Sequence, residues 1–248
     1  MSTVKNFLVV AFFFSVLDGL AIVAIWWAVV SFAHGEYLTV VVVTGFAFAF
    51  LCLTASLVLV MRRKVRPLAD VGDRGTTIRP DHIVGGLVKW GTVTAYLALA
   101  TFAIFAPLGK IDIPLPPGNR QYILIVAFAG TIWGIVDVWR TFKRGGVSFI
   151  KLDADGFDMS QGSSSINGGW DDVVAITDRR PGKPAPLRAM IFVKFGDDRI
   201  RSLVVDSYTP GGDAVRRLVR YYWMNSDKRD ELTDGRAVER LAEFVGTA

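Results

Sequence analysis

The most regular feature of the chain is a series of long apolar runs in its first part. They occupy residues 7–32, 38–61, 83–107 and 122–142. A hydrocarbon core of about 30 Å requires about 20 helical residues, so each run is long enough to cross a membrane, the fourth only if it continues to its end at 142. The first run is much longer than the roughly 7–15 apolar residues of a secretory signal. We therefore predict that residues 1–144 form an α-helical membrane bundle of four transmembrane helices, the first of them uncleaved.

From residue 145 the pattern changes to short runs rich in β-forming residues, separated by turn residues. These runs predict strands near 147–152, 157–159, 165–166, 173–176, 189–195 and 200–205. Apolar residues then recur at helical spacing along one face, at Val215, Leu218, Val219 and Tyr222. Residues 145–248 are therefore predicted to be a small α+β domain, with a β-barrel or sandwich followed by C-terminal helices.

The charge balance indicates which way the chain crosses the membrane. The protein has 28 Lys and Arg against 23 Asp and Glu, at 52% hydrophobic residues. In the first 144 residues the basic side chains cluster after the second and fourth runs, whereas only Lys110 and Arg120 lie in loops on the other side. The positive-inside rule then predicts a multi-pass protein of the inner (plasma) membrane with both termini in the cytoplasm. The excess positive charge is thus explained by topology, and nucleic acid is not an expected partner.

Seven of these basic residues are predicted to lie at the inner membrane face and to contact lipid headgroups. They are Arg62, Arg63, Lys64, Arg66, Arg140, Lys143 and Arg144. Each would gain about 1 kcal/mol near an anionic leaflet. Two interpretations remain open: topology determinants that merely touch headgroups, and specific lipid recognition.

The residue types needed for catalysis or metal binding are scarce. There is one cysteine, Cys52, inside an apolar run, and the two histidines, His34 and His82, are distant in sequence. The chain contains no glycine-rich phosphate loop, nucleophile elbow or dinucleotide fingerprint. We therefore expect a protein that is not an enzyme and that holds no cofactor and no metal.

One carboxylate stands out within the apolar runs. Asp18 lies near the middle of the first run, where a charged group costs about 2.5–3.5 kcal/mol and by default suggests a function. We expect it to be protonated and hydrogen-bonded to a neighbouring helix, of this chain or of another; the alternative is a proton relay. Lys89 and Asp137, the other charges inside the runs, lie near the cytoplasmic end.

Small residues at helix-packing spacing mark two of the predicted spans. Gly130 and Gly134 form a GxxxG pattern in the fourth, and Ser15 and Gly19 have the same spacing in the first. Because lipid tails supply no hydrophobic drive between helices, such positions allow the close backbone approach on which association depends. Both faces are predicted to be packing surfaces, within this bundle or against another protein.

A long connection in the second domain is a candidate contact element. It is rich in proline and carries Arg179, Arg180, Lys183 and Arg188. Its length exceeds that of an ordinary hairpin loop. It is interpreted either as a contact for the membrane surface or a partner protein, or as a solvated loop.

The second domain resembles bacterial PH-like domains over residues 147–224. The resemblance is carried by Ile150-x-Leu152-x3-Gly156, by Gly169-Trp170-Asp171-Asp172-Val173, and by the hairpin and helix that follow. It implies a PH-like fold attached to a membrane unit; another small β-barrel is the alternative. PH domains that bind inositol phosphates place basic residues around the first hairpin. This chain has Asp153, Asp155 and Asp158 there, so headgroup recognition is not expected.

The overall layout is similar to that of lipid-uptake-coordinator proteins, accessory subunits of actinobacterial MCE-type lipid importers. The similarity lies in residues 205–212, Tyr221-Tyr222-Trp223 and Asp230-Glu231-Leu232-Thr233. It implies a non-catalytic accessory or regulatory subunit that docks on a larger membrane complex. Its expected partners are membrane lipids and the other subunits of that complex. The alternative function is a small transporter or channel that uses Asp18.

Overall fold

The computed structural model describes residues 2–113, 118–143, 148–162, 164–180, 182 and 186–247. The chain divides into two compact units. The first consists of Met1–Leu57 and Gly86–Lys143, and the second of Val58–Gly85 and Arg144–Ala248. The predicted boundary at residue 144 divides the chain once, whereas the second unit also includes a stretch from between the second and third apolar runs.

Four long helices confirm the predicted number of apolar helices. They are α1 (Ser2–Ala33), α2 (Tyr37–Met61), α3 (His82–Phe105) and α4 (Arg120–Lys143). Each is long and apolar enough to cross a membrane. The protein is therefore a multi-pass membrane protein by the length and composition of its helices.

Three hydroxyl side chains within these helices show how a polar group is satisfied by its own backbone. The hydroxyls of Thr101 and Thr131 each donate to the carbonyl four residues earlier, at 2.8 Å, and that of Ser56 donates to Leu53 at 2.8 Å. A hydroxyl left unpaired in hydrocarbon would cost several kcal/mol. Local bonding of this kind is what makes isolated Ser and Thr tolerable in apolar helices.

The second unit contains two antiparallel sheets, which are not closed into a barrel. The first has five strands in sequence order: β1 (Leu68–Gly72), β2 (Gly75–Arg79), β3 (Ser148–Leu152), β4 (Gly156–Gln161) and β5 (Ser164–Gly169). The second has three: β6 (Val173–Thr177), β7 (Met190–Phe195) and β8 (Ile200–Val204). The Gln161 amide links the sheets, because it accepts from the Val204 N–H at 3.1 Å and donates to the Val204 carbonyl at 3.2 Å.

The β1–β2 hairpin is the feature that the sequence analysis did not predict. It lies between α2 and α3 in the chain, yet β2 pairs with β3, with Ile78 opposite Ile150 and Thr76 opposite Leu152. The Thr76 hydroxyl also donates to the Leu232 carbonyl at 2.7 Å. Residues from the loop between two helices thus complete a sheet otherwise made by the C-terminal part of the chain.

Three helices follow the strands: α5 (Asp213–Met224), α6 (Glu231–Asp234) and α7 (Arg236–Gly246). The predicted apolar stripe of α5 is confirmed, since Val215, Leu218, Val219 and Tyr222 are completely buried. They join the inward residues of both sheets in one core. Complete burial of such side chains contributes about 1.5–3 kcal/mol each.

Candidate functional site

The GxxxG glycines of α4 are used inside this chain. A Cβ on Gly130 would lie 2.7 Å from Cδ2 of Leu99, and one on Gly134 would lie 2.5 Å from Cδ1 of Tyr96. Both contacts are with α3, so these two glycines let α3 and α4 approach closely. Close approach of the two helices requires small residues at both positions, which explains the GxxxG pattern in the sequence.

A second close approach, between α2 and α3, was not singled out from the sequence. A Cβ on Gly45 would lie 2.9 Å from the Cβ of Ala98, and one on Gly91 would lie 2.9 Å from the Cβ of Cys52. The partners here are Cβ atoms close to the helix backbone, which cannot rotate away. The spacing of Gly45 and Gly91 against small residues on another helix leaves no signal in a single sequence, because the pairing is not local.

The small-residue face of α1 is different, because it is open. Ser15 and Ile22 are exposed, Asp18 and Gly19 are partly exposed, and a Cβ on Gly19 would meet no atom within 4 Å. These four residues follow helical spacing and share one side of α1, which we call the α1 face. Within the described residues, the Asp18 carboxyl has no hydrogen-bond partner.

The other intramembrane charges have simple surroundings. The Tyr96 hydroxyl donates to the Asp137 carboxylate at 3.4 Å, which joins α3 to α4. Lys89 is exposed. Neither residue contacts Asp18 among the described interactions.

The first unit contains an apolar groove of about 650 Å³ between α2, α3 and α4. Its walls are formed mainly by Val43, Phe46, Phe50, Phe102 and Val126. Beside it, the backbone of Asp112 is held in place: its N–H donates to the Thr39 hydroxyl at 3.0 Å and its carbonyl accepts from the Trp27 indole at 3.1 Å. The groove offers almost no polar atoms and suits hydrocarbon rather than a polar solute.

The predicted inner-face residues lie at the start of the α2–α3 connection and at the end of α4. Arg62, Arg63, Lys64 and Arg66 precede β1 and are exposed, as are Arg140 and Lys143 in α4. Lys143 stacks over the Trp139 ring, with its Nζ 4.4 Å from the ring centroid. Arg144 lies outside the described residues.

A buried aspartate organises the return from the hairpin to α3. Asp81 is 6% exposed, and its carboxylate accepts from the backbone N–H groups of Arg66, Ile83 and Val84 at 2.8–3.2 Å. Its own N–H donates to the Ser207 carbonyl at 3.1 Å. Asp81 thus caps the first turn of α3 and fixes both ends of the connection. An Asp directly before a long apolar run was a signal for this cap.

Arg188, in the described part of the loop between β6 and β7, has a structural role. Arg188 forms two hydrogen bonds, of 2.9 and 2.6 Å, with the Asp206 carboxylate, which is 6% exposed. Arg179 is exposed and forms an ion pair with Asp178 at 3.6 Å, and Arg180 is also exposed. Lys183 lies outside the described residues.

The structure places the start of this loop beside basic residues of α5. A cavity of about 380 Å³ is bordered by Ile176, Thr177 and Asp178 at the end of β6 and by Arg216, Arg217 and Arg220 of α5. The sequence analysis did not connect these two segments, which are about 40 positions apart. The arginines follow the spacing of an exposed helix face, and only the fold shows what they face.

Glu231 is the most strongly bound carboxylate of the C-terminal helices. It is 4% exposed and accepts two hydrogen bonds from Arg240, both of 2.9 Å, and one from the Tyr222 hydroxyl at 3.2 Å. Burial, together with the nearby Glu231 charge, raises the pKa of Tyr222 above its usual range. Tyr222 therefore remains a neutral hydrogen-bond donor, and the cluster joins α5, α6 and α7.

Among the described residues, no three His, Cys, Asp or Glu side chains are arranged to hold a metal ion. The charged clusters of the second unit are ion pairs and caps that hold its elements together. Comparison of the chain with protein-family models, curated proteins and solved structures finds no match. The candidate functional surfaces are therefore the α1 face in the membrane and the basic cavity beside α5.

Proposed function

We propose that the protein is a non-catalytic accessory or regulatory subunit that docks on a larger complex in the inner membrane. The observation that carries this proposal is the α1 face, where Asp18 and Gly19 lie partly exposed near the middle of an apolar helix and a Cβ on Gly19 would meet no atom within 4 Å. Small residues favour close helix contact, and a carboxyl group at that depth favours a hydrogen-bond partner. A helix of another subunit would supply both the close contact and the hydrogen-bond partner.

The contrast with the other glycines supports this interpretation. Gly45, Gly91, Gly130 and Gly134 are all in close contact within the chain, whereas Gly19 has open space around it. Helix α1 is also the least buried of the four spans, with 6% of its apolar window buried. The first helix is thus the part of the bundle most available to another subunit.

The second unit supports a binding role on the cytoplasmic side. Its antiparallel sheets, β1–β5 and β6–β8, are followed by the helix α5. We propose that this arrangement is the PH-like binding domain that the sequence resembles. In this proposal the domain contacts cytoplasmic parts of the complex, while the inner-face arginines and lysines contact anionic lipid. The similarity to lipid-uptake-coordinator proteins makes an MCE-type lipid importer the complex to test first.

The bundle gives less support to the alternative, a transporter or channel that uses Asp18. A coupling carboxylate lines a polar route between helices. The main groove among α2–α4 is apolar, and Asp18 does not line it. The position of Asp18 therefore supports a role in docking more than a role in transport or conduction.

The proposal is tested by co-purification of a chromosomally tagged copy in mild detergent, with wild type and Gly19→Leu compared. Since a Cβ at Gly19 would meet no described atom within 4 Å, the variant should fold normally yet lose a stoichiometric partner. Leu20→Phe is the matched control. It adds bulk to an exposed position about 100° further around α1 and should retain the partner.

Two outcomes would overturn the proposal. One is a wild-type protein that purifies alone as a monomer or homodimer under these conditions. The other is a partner that Gly19→Leu and Asp18→Leu retain as well as the wild type does. A flux into proteoliposomes that Asp18→Asn abolishes would support the transporter instead.

A further inference from the structure

The cavity beside α5 combines an open strand edge with a basic helix face. We call it the β6–α5 groove and define it by Thr177 at the end of β6, Asp178 directly after it, and Asp213, Arg216, Arg217 and Arg220 of α5. Among the described residues β6 pairs with β7 alone, so it is one of the two edge strands of its sheet, and the Val173 carbonyl at its start accepts from the Trp223 indole at 3.2 Å. An edge strand presents backbone N–H and carbonyl groups that another strand can use.

The arginines of the groove are only partly neutralised. Arg216 forms an ion pair with Asp213, and Asp178 forms one with Arg179. Arg217 donates to the Thr247 hydroxyl at 3.3 Å, and within the described part of the chain neither Arg217 nor Arg220 has a carboxylate partner. Positions 217 and 220 are one helical turn apart, so both guanidinium groups face the same region. The groove therefore carries a net positive charge that a carboxylate-rich ligand would complement.

The isoleucines that border the groove belong to the core beneath it, since Ile176 is 4% exposed and Ile191 is 0% exposed. Val174, near the start of β6, is 56% exposed, and the pairing of β6 with β7 shifts register there. A ligand that fits must combine negative charge with an extended backbone.

We propose that the β6–α5 groove binds an extended, acidic segment of a partner protein, which pairs with the free edge of β6. Alternate side chains of a strand point the same way, so every second residue faces the arginines and the others point away from α5. The inference deepens the proposed function by giving the chemistry of a cytoplasmic partner. It rests on the proposed function only in assigning that partner to the complex on which the protein docks.

A protein segment fits this groove better than a phosphate group or a lipid headgroup. The arginines project from a helix face that is at least partly exposed to solvent, and they lie beside the edge strand β6. Arginine is enriched at protein interfaces. A free phosphate would need only the guanidinium groups and would leave the strand edge unused.

The test uses the full chain in nanodiscs of zwitterionic lipid. The probe is a fluorescein-labelled eight-residue peptide of alternating Glu and Val, and the comparison peptide has Gln in place of Glu. Fluorescence polarisation should show binding of the Glu peptide that weakens as salt is raised. The Gln peptide should bind at least about tenfold more weakly, since charge-assisted hydrogen bonds are lost.

Variants separate the charge contribution from strand pairing. Arg217→Gln with Arg220→Gln should weaken the Glu peptide at least about tenfold. The charge-matched control, Arg201→Gln with Lys228→Gln, changes exposed residues outside the groove and should have little effect. Val174→Pro, at the register shift, should weaken binding without changing the charge, because proline at a strand edge blocks pairing.

Equal binding of the two peptides, or no effect of the Arg217 and Arg220 changes, would overturn the inference. Displacement of the peptide by inorganic phosphate at constant ionic strength would assign the groove to a phosphate group instead. Loss of binding only in the Arg201 and Lys228 control would also exclude the groove. Gly19→Leu should leave peptide binding unchanged, so a failure of the α1 face and a failure of the groove remain distinguishable.

Discussion

Three carboxylates in the second unit are nearly inaccessible to solvent, and each is compensated in its own way. Asp81 accepts only backbone N–H groups, Asp206 is held by Arg188, and Glu231 is held by Arg240 and Tyr222. A buried charge that loses its partner costs more than the pair contributes, because its desolvation is no longer compensated. Removal of a single hydrogen-bond partner is therefore the most sensitive test of how each buried carboxylate is stabilised.

Arg240→Met should open the C-terminal helices, because it leaves the Glu231 carboxylate buried without its two strongest hydrogen bonds. We expect a loss of about 2 kcal/mol. In hydrogen exchange on the full-length protein, the α6 and α7 amides should then exchange more than about tenfold faster.

Arg236→Met is the matched control for this change. Arg236 is 56% exposed and lies 3.9 Å from the same carboxylate, so its loss should leave exchange almost unchanged. Equal effects of the two variants would mean that the hydrogen bonds of Arg240 do not hold the helices together.

At the scale of elements, the sequence predicted what depends on local pattern. The four apolar helices follow from the length of the runs, and the buried side of α5 follows from spacing at Val215, Leu218, Val219 and Tyr222. The α2–α3 contact at Gly45 and Ala98 is not predictable in this way, because it joins residues distant in the chain. The β6–α5 groove is not predictable from local pattern either, because it depends on where β6 ends in the fold.

The β1–β2 hairpin had a local signal that another interpretation obscured. Asp73-Arg74 lies between Gly72 and Gly75 with β-forming residues on both sides, which is typical of a two-residue hairpin turn. The surrounding arginines also satisfy the positive-inside rule, which accounts for their charge without any strand. Charge pattern and strand pattern are independent, and the same segment satisfies both.

Gly45→Leu should destabilise the membrane unit, because the added side chain would be forced against the Cβ of Ala98, which cannot rotate away. Overpacking of this kind costs about 1–3 kcal/mol. Thermal unfolding of the detergent-solubilised protein should show a lower midpoint. Gly19→Leu, where the space is open, should leave the midpoint unchanged; equal losses would contradict the assigned packing.

The hairpin should also be required for the fold of the second unit. A continuous soluble variant can join residues 66–79 through Asn-Gly to residues 149–247, because β2 and β3 are antiparallel neighbours. We expect this fusion to fold cooperatively. Residues 149–247 alone lack the Thr76 bond to Leu232 and the partner of β3, and should unfold at a lower denaturant concentration.

Circular dichroism during a urea titration compares the two proteins directly. Equal midpoints would mean that the C-terminal segment folds independently of the hairpin. A fusion that fails to fold while the shorter segment folds would contradict the register between β2 and β3.

At the scale of the whole molecule, strand pairing adds an argument about topology that charge alone does not provide. The α2–α3 connection and the chain after α4 meet in one sheet, so both must lie on the same side of the membrane. Four crossing helices satisfy this requirement, since two spans separate these segments. Which side it is depends on the positive-inside rule, and we propose the cytoplasmic side.

Cysteine labelling in intact cells tests both statements. In a Cys52→Ala background, we expect Asn119→Cys, at the start of α4, to react with a membrane-impermeant maleimide from outside. Asp73→Cys in the β1–β2 turn and Asp227→Cys after α5 are both exposed, and they should react only after permeabilisation. Labelling of Asp73→Cys and Asp227→Cys from opposite sides would refute the pairing of β2 with β3. Labelling of both from outside would keep the pairing and reverse the orientation, because the pairing requires a common side and only the charge distribution determines which side it is.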